Sequence, residues 1–126
     1  MDRLRTISAV LLAIPMLVFG GNYFLELFEL PAGDGGAGDL LLQAMRDGGL
    51  MSVIAGSHVL AAAFLLLPRT RFLAALLQLP MSIGIVAFHA TMLPAGLAIA
   101  AVLLVLNLGA LAEYRHFRSL LGKKPE

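Results

Sequence analysis

"MSVIAGSHVLAAAFLLLPRTRFLAALLQLP", residues 51–80, contains two long apolar runs on either side of the four-residue link "PRTR" at 68–71. An apolar helix of about 20 residues is long enough to cross a hydrocarbon core of about 30 Å. A link this short makes consecutive helices antiparallel neighbours. The stretch therefore predicts a hairpin of two membrane-spanning helices, and the rest of the chain can be interpreted outward from it.

The composition of the whole chain points to the same environment. Of its 126 residues, 60% are hydrophobic and only 13% are charged, with a mean hydropathy of +0.90. A soluble domain carries about a quarter charged residues. This chain has too few charges to cover a water-facing surface, so we expect a single domain, residues 1–126, inside a bilayer.

Four stretches are long and apolar enough to cross a membrane. They run over about 7–28, 49–67, 72–92 and 95–113. The basic start resembles a secretory signal peptide, but no A-x-A-like cleavage site follows the first apolar run, so we expect it to be retained as a span. The sequence thus predicts an all-α membrane protein with four transmembrane helices in an up-down-up-down bundle.

The basic residues are unevenly distributed between the predicted loops. Eight of the nine would share one side: Arg3, Arg5, Arg69, Arg71, Arg115, Arg118, Lys123 and Lys124. The opposite side would carry Arg46 with five acidic residues: Glu26, Glu29, Asp34, Asp39 and Asp47. Because lysine and arginine near short loops stay on the cytoplasmic side, both termini are predicted to be cytoplasmic, in a bacterial inner membrane.

The outer loop between the first two spans, about 31–48, has two parts. Its first half is rich in glycine and typical of turns. In its second half, Asp39 is a good N-cap, residues 40–45 are strong helix formers, and Gly48 and Gly49 are a plausible stop. We expect a short helix at the outer interface or an extramembrane start to the second span.

Three polar residues should lie at similar depth in the outer half of the bundle: Asn22, Glu26 and His89. Polar groups in hydrocarbon are costly and are candidate functional groups. A carboxylate and an imidazole at one depth can share a proton, so Glu26 and His89 form a candidate pair. The alternative is that both simply reach the headgroup region.

His58 should lie near the middle of the second span, where it cannot reach the interface. It would be neutral and hydrogen-bonded to Ser57 or Ser82, or it would bind a ligand such as a quinone. Two histidines on adjacent spans also suggest haem. His58 is about 13 Å deep at 1.5 Å per residue, whereas His89 is near the outer end, and this difference in depth argues against a haem held by both.

Further polar residues would face the interior without a specific chemical role: Gln78, Ser82 and Asn107. The chain has no cysteine, which excludes disulfides, thiol chemistry and cysteine-ligated metals, and no metal site is predicted. The net charge of +1 does not support nucleic-acid binding.

Three segments of the chain resemble the DoxX and DoxX-like membrane proteins. They are "FGGNYFLELF" at 19–28, "LLQAMRDGGLMSVIAGSHVLAAAFLLLPRTRFLAALLQLP" at 41–80 and "IVAFHATMLPAGLAIA" at 85–100. The similarity covers nearly the whole chain, from Arg3 to Leu121. By position, the first motif is matched by Asn22, Tyr23 and Phe24, and the last by Phe88, His89, Pro94 and Gly96.

The resemblance implies a four-helix membrane bundle in a family named after a subunit of a thiosulfate:quinone oxidoreductase. Other members are linked to membrane redox complexes, and most have no assigned activity. Many relatives have a glutamate where this chain has His58, and an asparagine before the F-H histidine where this chain has Gly84. Both differences remove a polar group present in those relatives.

The sequence therefore favours a non-catalytic or accessory subunit of a membrane redox complex rather than a stand-alone enzyme. It would bind quinone or lipid near Asn22, Glu26, His58 and His89. Its partners would be membrane lipids and other redox subunits, or copies of itself. The alternatives are a purely structural assembly subunit in which these residues join helices, and a small transporter.

Overall fold

The computed structural model describes residues 2–112, and within that range the chain is helical with no β-strand. Five α-helices follow one another: α1 (Asp2–Leu25), α2 (Ala37–Asp47), α3 (Leu50–Leu66), α4 (Arg71–Thr91) and α5 (Leu97–Leu111). A 3-10 turn, Pro94–Gly96, precedes α5. The predicted all-α class is confirmed. The basic tail and the end of the fourth predicted span at 113 lie outside the described residues.

Three of these helices are long and apolar enough to cross a membrane: α1, α4, and α5 together with its 3-10 turn. The helix α3 has 17 residues, or about 25 Å at 1.5 Å per residue. It follows α2 across a bend of 85°, and Gly49, at φ 80°, occupies the left-handed conformation at this corner. Counting the bent pair as one span gives four candidate spans.

The four long helices pack in a ring. The helix α1 packs against α3 and α5, and α4 packs against the same two helices. The ring has two ends. We call the end that carries α2 and the 3-10 turn the α2 end, and the end at which α3 is linked to α4 the Arg71 end.

Small side chains fill the centre of this ring. The buried core includes Ala9, Ala13, Ala62, Ala75 and Ala110. Large aliphatic residues point outward instead; they include Leu60, Leu77, Val102 and Val105. A soluble protein would bury such residues, whereas helices in lipid come close together through small residues. The arrangement is the one expected of a bundle surrounded by hydrocarbon.

Two glycines mark the closest helix contacts. A Cβ atom at Gly20 of α1 would lie 2.8 Å from the Ala55 carbonyl oxygen and 3.2 Å from the His58 Cβ. At Gly109 of α5, a Cβ would collide with the Ser8 hydroxyl. At Gly20 the backbone of α3 approaches α1, and at Gly109 the Ser8 side chain of α1 approaches α5, so neither position tolerates a side chain.

The short helix α2 is a separate element and not the start of α3. Its Gly38 is buried against the backbone of Met92, where a Cβ would lie 2.9 Å from the carbonyl oxygen. The prediction that Asp39 caps this helix was wrong. The helix begins at Ala37, and the Asp39 carboxylate instead accepts a hydrogen bond from the Gly35 N–H at 2.6 Å.

Gly20→Ala should destabilise the bundle, because the added methyl group has no room against α3. Overpacking of this kind costs about 1–3 kcal/mol, more than the gain in helix propensity. Gly21→Ala is the matched control, since nothing lies within 4 Å of a Cβ there. Unfolding in detergent followed by circular dichroism should show a lower Tm for Gly20→Ala only. Equal effects of both variants would contradict the close contact.

Candidate functional site

Asn22 closes the end of α1. It is buried, with 8% of its surface exposed. Its side-chain Nδ2 donates to the Phe28 carbonyl at 2.9 Å, and its Oδ1 accepts from the Phe28 N–H at 2.9 Å. The amide thus pairs with both backbone groups of one residue, as a neighbouring peptide would. These two hydrogen bonds hold the chain after α1 so that it turns back along the helix.

Glu26 lies just beyond α1 and is exposed. It has φ 50°, and its N–H donates to the Asn22 carbonyl at 2.8 Å. A left-handed residue with this bond is a common helix ending, normally occupied by glycine or asparagine. The helix therefore stops at Leu25, before the predicted end at 28, and the Glu26 side chain points away from the core.

His89 closes the turn between α4 and α5. Its Nδ1 lies 2.9 Å from the Leu93 carbonyl oxygen, so the ring is protonated at that nitrogen when the bond forms. The ring lies directly over Gly96, where a Cβ atom would overlap it. The spacing of this histidine from the proline–glycine turn, noted in the sequence, thus reflects a contact within one connection.

The predicted pair between Glu26 and His89 is not formed. No ion pair or hydrogen bond joins these two described residues. Glu26 belongs to the turn that ends α1, and the His89 ring faces the Leu93 carbonyl in the link that follows α4. Asn22, Glu26 and His89 each take part in a turn next to their own helix. Although they lie at similar depth, they do not form one shared cluster.

His58 differs from the other predicted site residues. Its Nε2 atom is buried and has no hydrogen-bond partner among the described residues. The two predicted partners are engaged elsewhere: Ser57 donates to the Ile54 carbonyl at 2.7 Å, and Ser82 donates to Asn107. An unsatisfied buried polar atom costs about 1–3 kcal/mol. His58 therefore has an unused hydrogen-bonding capacity facing the protein interior.

The deepest polar group of the bundle joins α4 to α5. Ser82 donates to the Asn107 Oδ1 at 2.8 Å, and Asn107 donates to the Ala75 carbonyl at 2.8 Å. Asn107 is fully buried, and Gln78 is buried on the same helix as Ser82. Pro80 interrupts the hydrogen bonds of α4 here. The network joins α4 to α5 near this break in the helix.

At the other end of the bundle, Arg71 was predicted only as a determinant of topology. It is 7% exposed. Its guanidinium donates to the Leu65 carbonyl at 2.9 Å, to the Leu66 carbonyl at 3.5 Å and to the Thr6 hydroxyl at 2.9 Å. The last carbonyls of a helix carry partial negative charge. Arg71 therefore neutralises the end of α3 and ties it to α1.

Thr70 completes this cap, because its hydroxyl donates to the Phe64 carbonyl at 2.9 Å. The backbone N–H groups of Thr70 and Arg71 donate to the Leu67 carbonyl. The sequence shows Thr70 and Arg71 in the link that begins at Pro68. It does not show where their side chains point, because that depends on how the link folds back on the helix.

A further contact between helices was missed. The hydroxyl groups of Tyr23 on α1 and Ser52 on α3 lie 3.1 Å apart. The Tyr23 position belongs to the family motif quoted above, but that motif does not show its partner. Within residues 2–112, no group of three or more histidine and acidic residues is placed to hold a metal ion.

One groove lies at the α2 end, on the outside of α1. Its volume is about 260 Å³ and it is open along one side. Its lining consists of Leu17, Val18, Gly21, Asn22, Leu25, Leu27 and Phe28. Glu26, His58 and His89 do not contribute to it, so the four predicted ligand-binding residues do not share this groove.

Over residues 2–112, the fold and these contacts define a helical protein with three or four helices able to cross a membrane. No family model matches the chain, and no curated protein or solved structure resembles it significantly. Its function must therefore be argued from its own residues.

Arg71→Met should destabilise the bundle by about 1–3 kcal/mol, because it leaves buried helix-terminal carbonyls without donors. Arg69→Met is the matched control, since Arg69 is exposed in the same link and its loss removes the same charge. Unfolding by denaturant in detergent micelles measures both. Similar midpoints for the two variants would show that the Arg71 contacts carry no stability.

Asn22→Leu should release the chain after α1, because leucine can neither donate to the Phe28 carbonyl nor accept from the Phe28 N–H. Glu26→Gln, in the same turn, should have little effect. Hydrogen exchange read by mass spectrometry should show faster exchange of peptides that contain Phe28 in Asn22→Leu alone. Unchanged protection in that variant would mean that Asn22 does not hold the segment.

Proposed function

We propose that this protein is a four-span integral membrane subunit that acts through its lipid-facing helix surfaces rather than by catalysis. The observation that carries the proposal is how its interior polar side chains are used. Asn22, Arg71, Asn107 and His89 all bond backbone atoms of this chain. Side chains committed in this way stabilise a bundle and leave little capacity for substrate chemistry.

The proposed topology places both termini in the cytoplasm. Arg69 and Arg71 at the Arg71 end lie on the same side as Arg3 and Arg5 at the start of α1. The α2 end carries Asp34, Asp39, Asp47 and the two glutamates that follow α1. The positive-inside rule then makes the Arg71 end cytoplasmic and the α2 end external. A bacterial inner membrane fits this asymmetry.

The resemblance to DoxX-like proteins supports an accessory role in a membrane redox complex. Under this proposal the partners are redox subunits that carry the electron-transferring cofactors, together with lipids. The large outward aliphatic residues of α4 and α5, such as Leu77 and Val105, supply surfaces for membrane partners. The absence of cysteine means that electrons would not pass through thiols of this chain.

A second candidate function is favoured by one specific observation, the unpartnered Nε2 of His58. A quinone carbonyl could accept a hydrogen bond from this nitrogen and thereby satisfy it. His58→Leu separates the two candidates. If the residue is structural, removing an unpaired polar atom should leave stability unchanged or raise it. If it binds quinone, the variant should copurify with less quinone than the unchanged protein.

The topology can be tested directly, because the chain has no native cysteine. We expect Asp34→Cys, in the loop before α2, to react with a membrane-impermeant maleimide on intact cells. Arg69→Cys, in the α3–α4 link, should react only after the cells are permeabilised. The reverse pattern would invert the proposed orientation, and labelling of both on intact cells would show that α3 does not cross the membrane between them.

The accessory role is tested by purification in mild detergent with mass spectrometry of copurifying proteins. Partners that carry flavin, haem or an iron–sulfur cluster are the expected result. A homogeneous oligomer of this chain alone, under conditions that preserve other membrane complexes, would count against a redox complex.

A further inference from the structure

We propose that the groove beside α1 holds one acyl chain of a phospholipid from the leaflet at the α2 end. This inference rests on the proposed membrane placement and adds a bound lipid and its location. The groove lies between α1 and the segment that folds back after it, and its walls are Leu17, Val18, Leu25, Leu27 and Phe28.

The length of α1 indicates how deep in the membrane the groove lies. Its 24 residues span about 36 Å, so the helix exceeds a hydrocarbon core of about 30 Å only slightly at its ends. Val18 lies seven residues before the end of α1, or about 10 Å from it. The lower part of the groove is therefore within the hydrocarbon and not in the headgroup layer.

The segment that forms the outer wall of the groove can lie at this depth because its backbone polar groups at Phe28 are hydrogen-bonded. Irregular chain is tolerated in lipid only when its polar groups find partners in the protein. Asn22 pairs with both the N–H and the carbonyl of Phe28. The Phe28 ring then packs edge-on against Phe19, with ring centroids 6.2 Å apart, and this contact directs the segment back along α1.

The lining favours a hydrocarbon chain over a polar ligand. Asn22 is its one polar side chain, and both of that side chain's polar atoms already bond Phe28. No other side chain of the lining has a polar group to orient a quinone ring. Leu27, with 73% of its surface exposed, extends the apolar wall toward the surrounding lipid.

The groove is a shallow space of about 260 Å³ on the outside of α1. Gly21 contributes to this space, because nothing lies within 4 Å of where its Cβ would be. A larger residue at Gly21 would fill the groove without disturbing the bundle.

The test uses the full-length protein in phosphatidylcholine liposomes with a trace of phosphatidylcholine that carries a photoactivatable diazirine in mid-chain. After irradiation, mass spectrometry of peptides maps the adducts. We expect residues 17–28 to be labelled severalfold more than the lipid-facing residues of α4. Uniform labelling of all outward surfaces would overturn the proposal and indicate only annular lipid.

Two pairs of variants sharpen the test. Gly21→Leu should reduce labelling of residues 17–28 severalfold, and its control Gly84→Leu, at an equally open glycine on α4, should not. Leu27→Ser, which removes one wall, should also reduce labelling, whereas Leu77→Ser, at a comparably exposed leucine, should not. Reduction in neither groove variant would overturn the proposal, even if one of them folded poorly.

The remaining outcomes distinguish other occupants. Loss of labelling on adding excess ubiquinone, but not excess unlabelled phosphatidylcholine, would assign the groove to an isoprenoid chain and reject the phospholipid. Weak labelling of residues 17–28 in a protein that runs as a dimer on size-exclusion chromatography would assign the groove to a second copy. If α4 were not labelled either, the membrane placement would have failed, and this result differs from uniform labelling of a membrane-embedded bundle.

Discussion

The C-terminal end of each helix leaves carbonyl groups that must find donors inside the protein, and the arrangement of the bundle depends on which donors they find. Water satisfies such groups on a soluble protein, but hydrocarbon cannot. Here the donors are side chains. Arg71 and Thr70 serve the end of α3, and Asn22 serves the segment after α1. Asn22, Glu26 and His89 take part in the turns at the ends of helices, whereas His58 lies inside α3 and does not belong to this group.

The small residues of the core impose the second constraint. Alanines at the centre and glycines at Gly20 and Gly109 allow the helices to approach closely. The groove described above is not in this centre but on the outside, between α1 and the reversed segment. Under the proposed membrane placement, a ligand in that groove would be in contact with the bilayer.

Much of the architecture could be predicted from periodicity and composition, but the roles of the polar residues could not. The apolar runs and the short link 68–71 indicate the helices and their hairpin. The sequence also identified Asn22 and His89 as unusual. It could not show whether an amide or imidazole reaches across the bundle or back to its own chain, because that depends on the conformation in which the helix ends. Glu26 in a left-handed conformation and Asp39 bonded to Gly35 are two cases of this kind.

The positions of the Arg71 contacts along the chain have a consequence for assembly during synthesis. The guanidinium binds Thr6, Leu65 and Leu66, all of which leave the ribosome before it does. The α1–α3 pair can therefore be locked as soon as α4 begins to insert. Asn107 comes last, so the Ser82–Asn107 bond between α4 and α5 can form only after the final helix has been made.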